Sequence, residues 1–392
     1  MGLTRRTVLK AGAALPVGLW LGGCAEDQAR DTGGQPPRSD TSGDDVVTGS
    51  ARWPEDTAAD LLWMPAEEEP HAATWMCFPG RTDVWGVDLP NVQATIADIG
   101  LAVARFEPVR MLVRPDDLAL AADLVGTDVE LIEAPVDDLW ARDTLPLFLI
   151  SAAGEPAAAR VRFNGWGDKQ VHDGDETLAA LVADIVGVDL IDSGLVGEGG
   201  GVETDGNGTL LAARSSWVND NRNPGLGGDE IGAALADALG AERLLWVDGV
   251  AGEDITDGHI DTLARFADAT TIVHEHPSYA EPGETWYDLA QDTATSLETF
   301  ATLDGAPYEL VALQQPTTTR RQDAEFLASY VNYYVCNSAV LIPEFGDAAA
   351  DGLAADLIGE LYPDREVVVL DIDPVSAGGG GIHCATQQQP SV

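Results

Sequence analysis

The chain has 392 residues, and 45 % of them are hydrophobic, which is enough for the core of one large domain or two ordinary ones. Its 66 acidic and 21 basic residues give a formal net charge of -45. This charge excludes nucleic acid as a partner, because phosphates would be repelled, and it favours cationic ligands. Acidic residues with almost no lysine are also typical of proteins from salt-rich surroundings, where screening makes surface self-repulsion tolerable.

Residues 1–24 have the pattern of an export signal. Arg5 and Arg6 precede an apolar run at residues 11–21, which is shorter than the roughly 20 residues that span a bilayer. The segment resembles a twin-arginine signal, and LGGC (21–24) resembles a lipobox in which Cys24 is lipidated. We therefore expect an exported protein whose membrane contact is a lipid anchor at Cys24. A signal peptide with a chance cysteine would keep export and lose the anchor.

A polar segment and then a folded domain follow the signal. Residues 25–55 are rich in Asp, Ser, Thr, Gly and Pro, which predicts an acidic flexible linker, and residues 56–392 form the predicted domain. The domain has three cysteines, so at least one thiol stays free even in an oxidising compartment. Cys77 and Cys336 lie among apolar and aromatic residues and are expected to be buried and unreactive.

Within the domain, helical patterns alternate with short β-branched runs, which predicts an α/β fold. Residues 92–106 place apolar side chains at helical spacing and lead into a strand at 109–113. Further helices begin near residues 115, 177, 228, 286 and 350, and they lead into strands at 129–132, 188–191, 244–247, 308–313 and 367–372. The near-regular spacing suggests a unit repeated five times.

Each of those five strands is followed by a polar segment. In chain order, the segments contain LWARD (139–143), EGGG (198–201), DGHID (257–261), residues 314–332 and the stretch around Cys384. A ring of repeated units would turn equivalent strand ends, and with them these segments, toward a shared axis.

Cys384 is the candidate nucleophile. It follows four glycines in GGGGIHCATQQQP (378–390), and glycines let a backbone approach a ligand closely enough for a thiol to reach an electrophile. The neighbouring His383 is not expected to act as its base, because adjacent side chains of an extended segment point to opposite faces. The base must come from another segment.

Asp257, His259 and Asp261 alternate, so on a strand their side chains would share one face. A histidine beside carboxylates can serve as a general acid and base, since the neighbouring charges hold its pKa up. A hydrated polar edge is an alternative. A metal site is another, although the six histidines show neither a paired motif nor ligand spacing with cysteine.

Two further carboxylates complete the candidate set. Asp143 enters an apolar run, where a carboxylate is costly unless it meets donors or a cation such as Arg142. Glu198 precedes three glycines, which permit close approach of a ligand or of the histidine. Carboxylates around a thiol raise its pKa, so the set makes sense with a cationic substrate. A guanidinium fits best, because its planar N–H donors pair with carboxylates in bidentate fashion.

The motifs together resemble the agmatine deiminase family, whose wider group of guanidine-modifying enzymes includes bacterial peptidylarginine deiminases. The resemblance runs from about residue 64 to 390 and rests on MPAEEEPHAATWM, DLWARDT, FNGWG, EGGG with DGNGTLL, NRNPGL, TDGHIDTLARF, ASYVNYY, IPEFGD and GGGGIHCATQQQP. The sequence departs from the family pattern at Gly381, where asparagine is expected, and at Glu68, where an aromatic residue is expected.

The resemblance implies a five-bladed, pseudo-fivefold α/β propeller of the pentein type. It implies that Cys384 is the nucleophile, His259 the general acid and base, and Glu198 the residue that orients the histidine. Asp143 and Asp261 would clamp the guanidinium. The implied reaction converts agmatine to N-carbamoylputrescine and ammonia through a covalent thiouronium, without a metal or an organic cofactor.

Substrate recognition beyond the guanidinium stays open. Trp140 and Trp166 are candidates for lining the substrate channel by cation–π contact, although core packing suits each equally well. Arg160 and Arg162 keep open an exported deiminase of arginine or peptidylarginine, whose carboxylate would call for arginines at the channel mouth. A non-catalytic polyamine-binding lipoprotein is the remaining alternative. The oligomeric state is open, homo-oligomers included.

Overall fold

The computed structural model of the protein describes residues 46–48, 61–277 and 283–392. The predicted export signal, Cys24 and all of the predicted linker except Val46–Thr48 lie outside the described residues. Those three residues form a strand that pairs antiparallel with Arg243–Val247. No helix of the described part is long and apolar enough to cross a membrane.

Strands and helices alternate along the chain. The strands are β1 (Val46–Thr48), β2 (Leu62–Trp63), β3 (His71–Cys77), β4 (Val109–Val113), β5 (Glu130–Glu133), β6 (Leu147–Ser151), β7 (Pro156–Arg162), β8 (Leu190–Val196), β9 (Val202–Thr204), β10 (Thr209–Ala213), β11 (Arg243–Val247), β12 (Ala264–Asp268), β13 (Thr271–His276), β14 (Glu309–Gln314), β15 (Tyr334–Cys336), β16 (Ala339–Glu344), β17 (Glu366–Asp371) and β18 (Thr386–Pro390). The α-helices are α1 (Thr82–Trp85), α2 (Leu89–Ala104), α3 (Leu118–Val125), α4 (Ala141–Thr144), α5 (Gly165–Asp168), α6 (Leu178–Val186), α7 (Arg214–Trp217), α8 (Gly228–Leu239), α9 (Thr285–Leu297), α10 (Ala348–Leu361) and α11 (Asp373–Ser376). Short 3₁₀ helices at Gly199–Gly201 and Ile260–Thr262 carry site residues.

The strands of the described residues form five sheets with a common plan. The strand orders are β18-β3-β4-β5, β2-β6-β7-β8, β1-β11-β10-β9, β12-β13-β14 and β15-β16-β17. In each sheet, an antiparallel pair is followed by a helix and then by a strand parallel to the pair's second member. The connecting helices are α2, α6, α8, α9 and α10. The predicted helix and strand pairs that begin near residues 177, 228, 286 and 350 are present in this plan, whereas the first predicted pair is α3 and β5, which extends the first sheet beyond α2 and β4.

Five hydrophobic cores lie at the junctions between successive sheets and close them into a ring. From the first junction to the last, the cores contain Trp75 with Phe148, Leu149 with Leu210, Leu245 with Phe266, Val273 with Val340, and Leu341 with Met76. The last core joins the fifth sheet to the first. The predicted five-bladed α/β propeller is therefore the observed fold.

Helix α2 shows how the sequence pattern produces a blade. A proline lies in its first turn, where the missing N–H has no helical partner to lose. Val92, Ile96, Ile99 and Val103 then recur at helical spacing and are buried in the core between the first and fifth sheets. Burial of each such side chain contributes about 1.5–3 kcal/mol. Removing one would therefore weaken a junction of the ring.

Candidate active site

Cys384 lies in a turn between the glycine run and β18. Its Sγ is 3.2 Å from Asn332 Nδ2 and 3.4 Å from Asp261 Oδ2. Its backbone N–H donates to Asn332 Oδ1 at 3.2 Å, and its carbonyl accepts from the backbone N–H of Arg142 at 3.1 Å. The buried thiol thus has a fixed position, one amide donor and one carboxylate acceptor.

The glycines before Cys384 are explained by close packing. A methyl group on Gly380 would lie 2.1 Å from the ring of Trp140, and one on Gly381 would lie 2.5 Å from Asn332 Oδ1. A side chain at either position would therefore displace the indole or the amide that holds the cysteine. Gly381, a departure from the family pattern, packs here against the amide that contacts the sulfur.

His259 lies among carboxylates. Its Nε2 is 3.2 Å from Glu198 Oε2, and its Nδ1 is 3.7 Å from Asp143 Oδ1. Burial lowers the pKa of His259, but Asp143, Glu198 and Asp261 outweigh burial and raise the pKa to about 9. His259 is therefore an imidazolium at neutral pH, and it can donate a proton to a leaving group.

Glu198 is held by a second cation as well as by the histidine. Arg222 Nε donates to its two carboxylate oxygens at 2.8 and 3.0 Å. Burial raises the pKa of Glu198, but the hydrogen bond to His259 and the charge of Arg222 bring it below its ordinary value. Glu198 is thus a carboxylate that orients the imidazole, as the family resemblance implies.

The predicted strand through Asp257, His259 and Asp261 is wrong. Asp257 has a left-handed backbone with φ 63°, and Ile260–Thr262 is a 3₁₀ helix. Asp257 consequently turns away and pairs with Lys169 Nζ at 2.7 Å and with Arg222 Nη1 at 2.8 Å. His259 and Asp261 still meet, because the helical turn carries both toward the axis.

Gly200 marks the space that the site residues share. A methyl group on its Cα would lie 2.7 Å from His259 Nδ1, 3.0 Å from Asp143 Oδ1 and 3.1 Å from Asp261 Oδ2. Its backbone N–H donates to Asp143 Oδ1 at 3.1 Å. A side chain at this position would displace the imidazole or a carboxylate, so only glycine lets the three groups lie this close together.

Asp143 is positioned by a tryptophan and not by its neighbouring arginine. Trp166 Nε1 donates to Asp143 Oδ2 at 3.0 Å. The guanidinium of Arg142 donates instead to Gln388 Oε1 at 2.7 Å and Glu67 Oε2 at 3.2 Å. The alternative of a structural pair between Asp143 and Arg142 is therefore wrong.

The electrostatics of the site oppose a thiolate. Burial raises the pKa of Asp143 to about 6. The charge of His259 opposes this rise, and the negative charges of Glu198 and Asp261 add to it. Burial, followed by the charges of Asp261 and Asp143, raises the pKa of the Cys384 thiol well above its ordinary value. A cation placed between the two aspartates would offset their charges and so lower the pKa of the Cys384 thiol.

The two candidate tryptophans lie beside the site in different ways. Trp166 is buried, it packs edge-on against Phe163 with ring centroids 5.0 Å apart, and its φ of 55° is rare for a bulky residue. Such strain clusters at functional sites. Trp140 packs against Gly380 and is tilted over Trp85 at 6.1 Å. Channel lining stays a prediction for both tryptophans.

His383 lies on the same side as Cys384, so the prediction of opposite faces is wrong. The prediction assumed an extended segment, whereas residues 382–385 form a turn. His383 Nδ1 is 2.8 Å from Asp261 Oδ2, the oxygen that also accepts the S–H of Cys384. The imidazole thus reaches the site through Asp261.

Three residues at the site have no role that was predicted from the sequence, namely Asn332, Arg222 and His383. Each lies in a motif that carries the family resemblance: ASYVNYY, NRNPGL and GGGGIHCATQQQP, respectively. Their presence in these motifs is the feature of the sequence that could have marked them as site residues. Within residues 61–277 and 283–392, no group of three or more His, Cys, Asp or Glu side chains could hold a metal ion.

The fold and this site define an enzyme of the pentein type, with a thiol, an imidazole and paired carboxylates at its centre. The model of the Porphyromonas-type peptidyl-arginine deiminase family matches residues 63–390. The chain belongs to this family, and it is a hydrolase that acts on carbon–nitrogen bonds.

Individual relatives agree with the family assignment. A Streptomyces coelicolor protein, named as a candidate agmatine deiminase, is 38 % identical over 337 residues, which are 83 % of this chain and 98 % of that protein. The agmatine deiminase of Stutzerimonas stutzeri is 32 % identical over 360 residues, with coverage of 85 % and 96 %. The solved agmatine deiminase of Enterococcus faecalis has a TM-score of 0.80 and 28 % identity, with coverage of 86 % and 97 %.

Proposed function

We propose that the protein hydrolyses a guanidinium group by cysteine-dependent deimination, and that agmatine is the preferred substrate. The observation that carries the proposal is the cluster of four buried groups: the Cys384 thiol lies 3.4 Å from Asp261, His259 lies 3.7 Å from Asp143, and both aspartates and the histidine pack around Gly200. Two carboxylates beside the thiol match the planar N–H donors of a guanidinium. The names of the Stutzerimonas and Enterococcus relatives favour agmatine, which would give N-carbamoylputrescine and ammonia.

The first half of the reaction forms a covalent adduct. The substrate cation offsets the charges of Asp143 and Asp261, so the thiol of Cys384 loses its proton to solvent. The thiolate attacks the guanidinium carbon and forms a C–S bond. His259 donates its proton to one nitrogen, the C–N bond breaks, and ammonia leaves. A thiouronium on Cys384 remains.

The second half returns the enzyme to its starting state. Neutral His259, oriented by Glu198, removes a proton from water, and the resulting hydroxide attacks the thiouronium carbon. The C–S bond breaks, the adduct's hydroxyl oxygen becomes the carbonyl of the departing product, and its proton passes through solvent to the thiolate, so that Cys384 is again a thiol and His259 again protonated. Asn332 Nδ2, 3.2 Å from the sulfur, donates to the departing thiolate.

The cysteine role is tested by Cys384→Ala, with Cys336→Ala as the matched control. Both thiols are buried, but Cys336 lies at the end of β15, away from the site residues. Cys384→Ala is expected to keep the fold and to lose carbamoyl product and ammonia release. The control is expected to retain both. Undiminished turnover by Cys384→Ala would refute the proposal, and agmatine binding without turnover by the wild type would favour the polyamine-binding alternative.

Peptidylarginine and free arginine remain the alternative substrates. Arg160 and Arg162, the residues that favoured them, both donate to Asp192, at 2.7 and 3.1 Å. Their charges are thus already paired, which weakens their case as receptors for a substrate carboxylate. Parallel assays of agmatine, arginine and C-terminal arginine peptides at high salt decide between the substrates by kcat/KM.

We also propose that the protein is exported and anchored by a lipid on Cys24. The arginine pair and the LGGC sequence support this. Mass spectrometry of the mature N-terminus should find an acylated Cys24, and Cys24→Ser should release the protein from the membrane fraction. An unprocessed N-terminus would contradict the proposal.

A further inference from the structure

A layer of buried charges lies against Asp261 on the propeller axis. Its members, named here the axial charge layer, are Glu67, Arg142, Glu203, Arg265 and His383. Glu67 is the centre of the layer: its carboxylate lies 3.2 Å from the guanidinium of Arg142 and 2.9 Å from the ring of His383, forms an ion pair with Arg265 at 3.0 Å, and accepts from the backbone N–H of Val335 at 2.9 Å. His383 links the layer to Asp261 by its side chain, and Arg142 links it to the Cys384 carbonyl by its backbone N–H.

His383 is held between two carboxylates. Nδ1 is 2.8 Å from Asp261 Oδ2, Nε2 is 2.9 Å from Glu67 Oε2, and Glu203 Oε1 is 3.6 Å from Nε2. A neutral imidazole has one N–H and could donate to only one of these partners. Each ring nitrogen of His383 has a carboxylate oxygen within hydrogen-bond distance.

We propose that His383 is a positioning residue that acts through Asp261: its imidazolium holds Asp261 as an oriented carboxylate that receives the guanidinium. This inference rests on the proposed function. It gives the histidine next to the nucleophile a task that is distinct from the acid–base work of His259.

The charges around both partners support this assignment. Burial raises the pKa of Asp261, but the hydrogen bond and charge of His383, followed by the charges of His259 and Arg265, lower it by more. The pKa of Asp261 therefore lies below its ordinary value. Cys384 also faces Asp261, as a neutral thiol at 3.4 Å. His383 thus supplies the main cation that keeps Asp261 ionised.

The remaining neighbours of His383 are charged as well. Burial raises the pKa of Glu67, but Arg265, His383 and Arg142 bring it well below its ordinary value. Arg142 Nε donates to the His383 carbonyl at 3.4 Å. A carboxylate fixed in this way can hold the imidazole ring toward Asp261.

A thermodynamic cycle separates action through Asp261 from a merely structural role. Agmatine binding is measured by calorimetry at neutral pH in four proteins that share Cys384→Ala: the parent, His383→Gln, Asp261→Asn and the double variant. His383→Gln is expected to weaken binding about tenfold or more, and to weaken it no further once Asp261 is Asn. Equal weakening in both backgrounds, or none in the parent, overturns the inference.

Turnover gives a second readout with a matched control. His383→Gln is expected to raise KM about tenfold while lowering kcat less, because Asp261 receives the guanidinium whereas His259, the proton donor, is left in place. His274→Gln is the control, since His274 is also buried but contacts the backbone carbonyl of Glu275, at 3.1 Å. It should lower thermal stability without raising KM. An unchanged KM in His383→Gln contradicts the inference.

A spectroscopic test uses the wild-type protein alone and needs no substrate. With only six histidines in the chain, ¹⁵N-histidine labelling gives a readable spectrum, and His383 should show two protonated ring nitrogens at neutral pH. A neutral tautomer would overturn the inference while leaving the proposed function untouched. Conversely, absence of ammonia release from agmatine, arginine and arginine peptides by the wild type would refute the proposed function, whatever the ring state.

Discussion

Substitution of Gly200 by alanine tests whether turnover needs the space that the missing side chain of Gly200 leaves for His259, Asp143 and Asp261. The added methyl group would lie 2.7 Å from His259 Nδ1 and about as close to Asp143 and Asp261, at 3.0 and 3.1 Å. Gly200 does not have a left-handed backbone, so alanine introduces no backbone strain. The change therefore acts on the space itself.

The expected loss follows from the contacts that the methyl group displaces. A hydrogen bond to a charged group contributes about 1.5–3 kcal/mol, so displacing the guanidinium from both aspartates costs about 3–6 kcal/mol. That loss lowers kcat/KM by a factor of about 10² to 10⁴. Local overpacking should lower the free energy of unfolding by only about 1–3 kcal/mol, which leaves the protein folded.

The assay compares steady-state kinetics on agmatine with thermal melting followed by circular dichroism. Gly352→Ala is the matched control, because Gly352 lies within α10 and an added methyl group would meet nothing within 4 Å. Alanine should stabilise that helix by about 1 kcal/mol and leave kcat/KM unchanged. A folded Gly200→Ala protein with wild-type kcat/KM would refute the assignment of this space.

Four further outcomes are expected. The kcat/KM profile should be bell-shaped, because Asp143 becomes a carboxylate as pH rises through about 6 and His259 loses its proton as pH rises through about 9; a flat profile between these values and beyond them contradicts this. Asn332→Ala should lower kcat about 10- to 100-fold by removing the donor to the sulfur, and an unchanged kcat would exclude that role. Arg222→Met should destabilise the fold by about 3–5 kcal/mol, since it leaves a buried carboxylate at Glu198 without its arginine, and an unshifted melting temperature would argue against this. Finally, the melting temperature should rise between about 0.1 and 1 M salt, as the screening length falls from about 10 to 3 Å; a fall would contradict a role for surface self-repulsion at net charge -45.

Periodicity along the chain was sufficient to predict the blades. The helix over residues 92–106 and its following strand are present as α2 and β4, and the polar segments after the five outer strands do meet at the axis. These features depend on local spacing of apolar side chains, which a sequence displays directly. Cys384 was singled out from its glycine-rich segment, whereas the proposed roles of Asp143 and Asp261 were implied only by the family resemblance.

Local pattern failed where backbone conformation departed from the regular repeat. Asp257 left the predicted face because its φ is 63°, and His383 joined Cys384 because their segment is a turn. Asp257 is followed by Gly258, a pair that favours turns, but the alternation of polar residues predicts a strand instead. The turn at residues 382–385 has no comparable signature in residue type.

Residue types and their order along the chain thus determined the five units, the identity of the thiol and the acidic character of its surroundings. Only the tertiary structure decided which donor serves which carboxylate: Arg222 with Glu198, Trp166 instead of Arg142 with Asp143, and His383 with Asp261. The reason is physical. Pairing energies fall steeply with distance and depend on burial, so partners that are far apart in the chain, such as His383 and Asp261, which lie 122 positions apart, are selected when the ring closes.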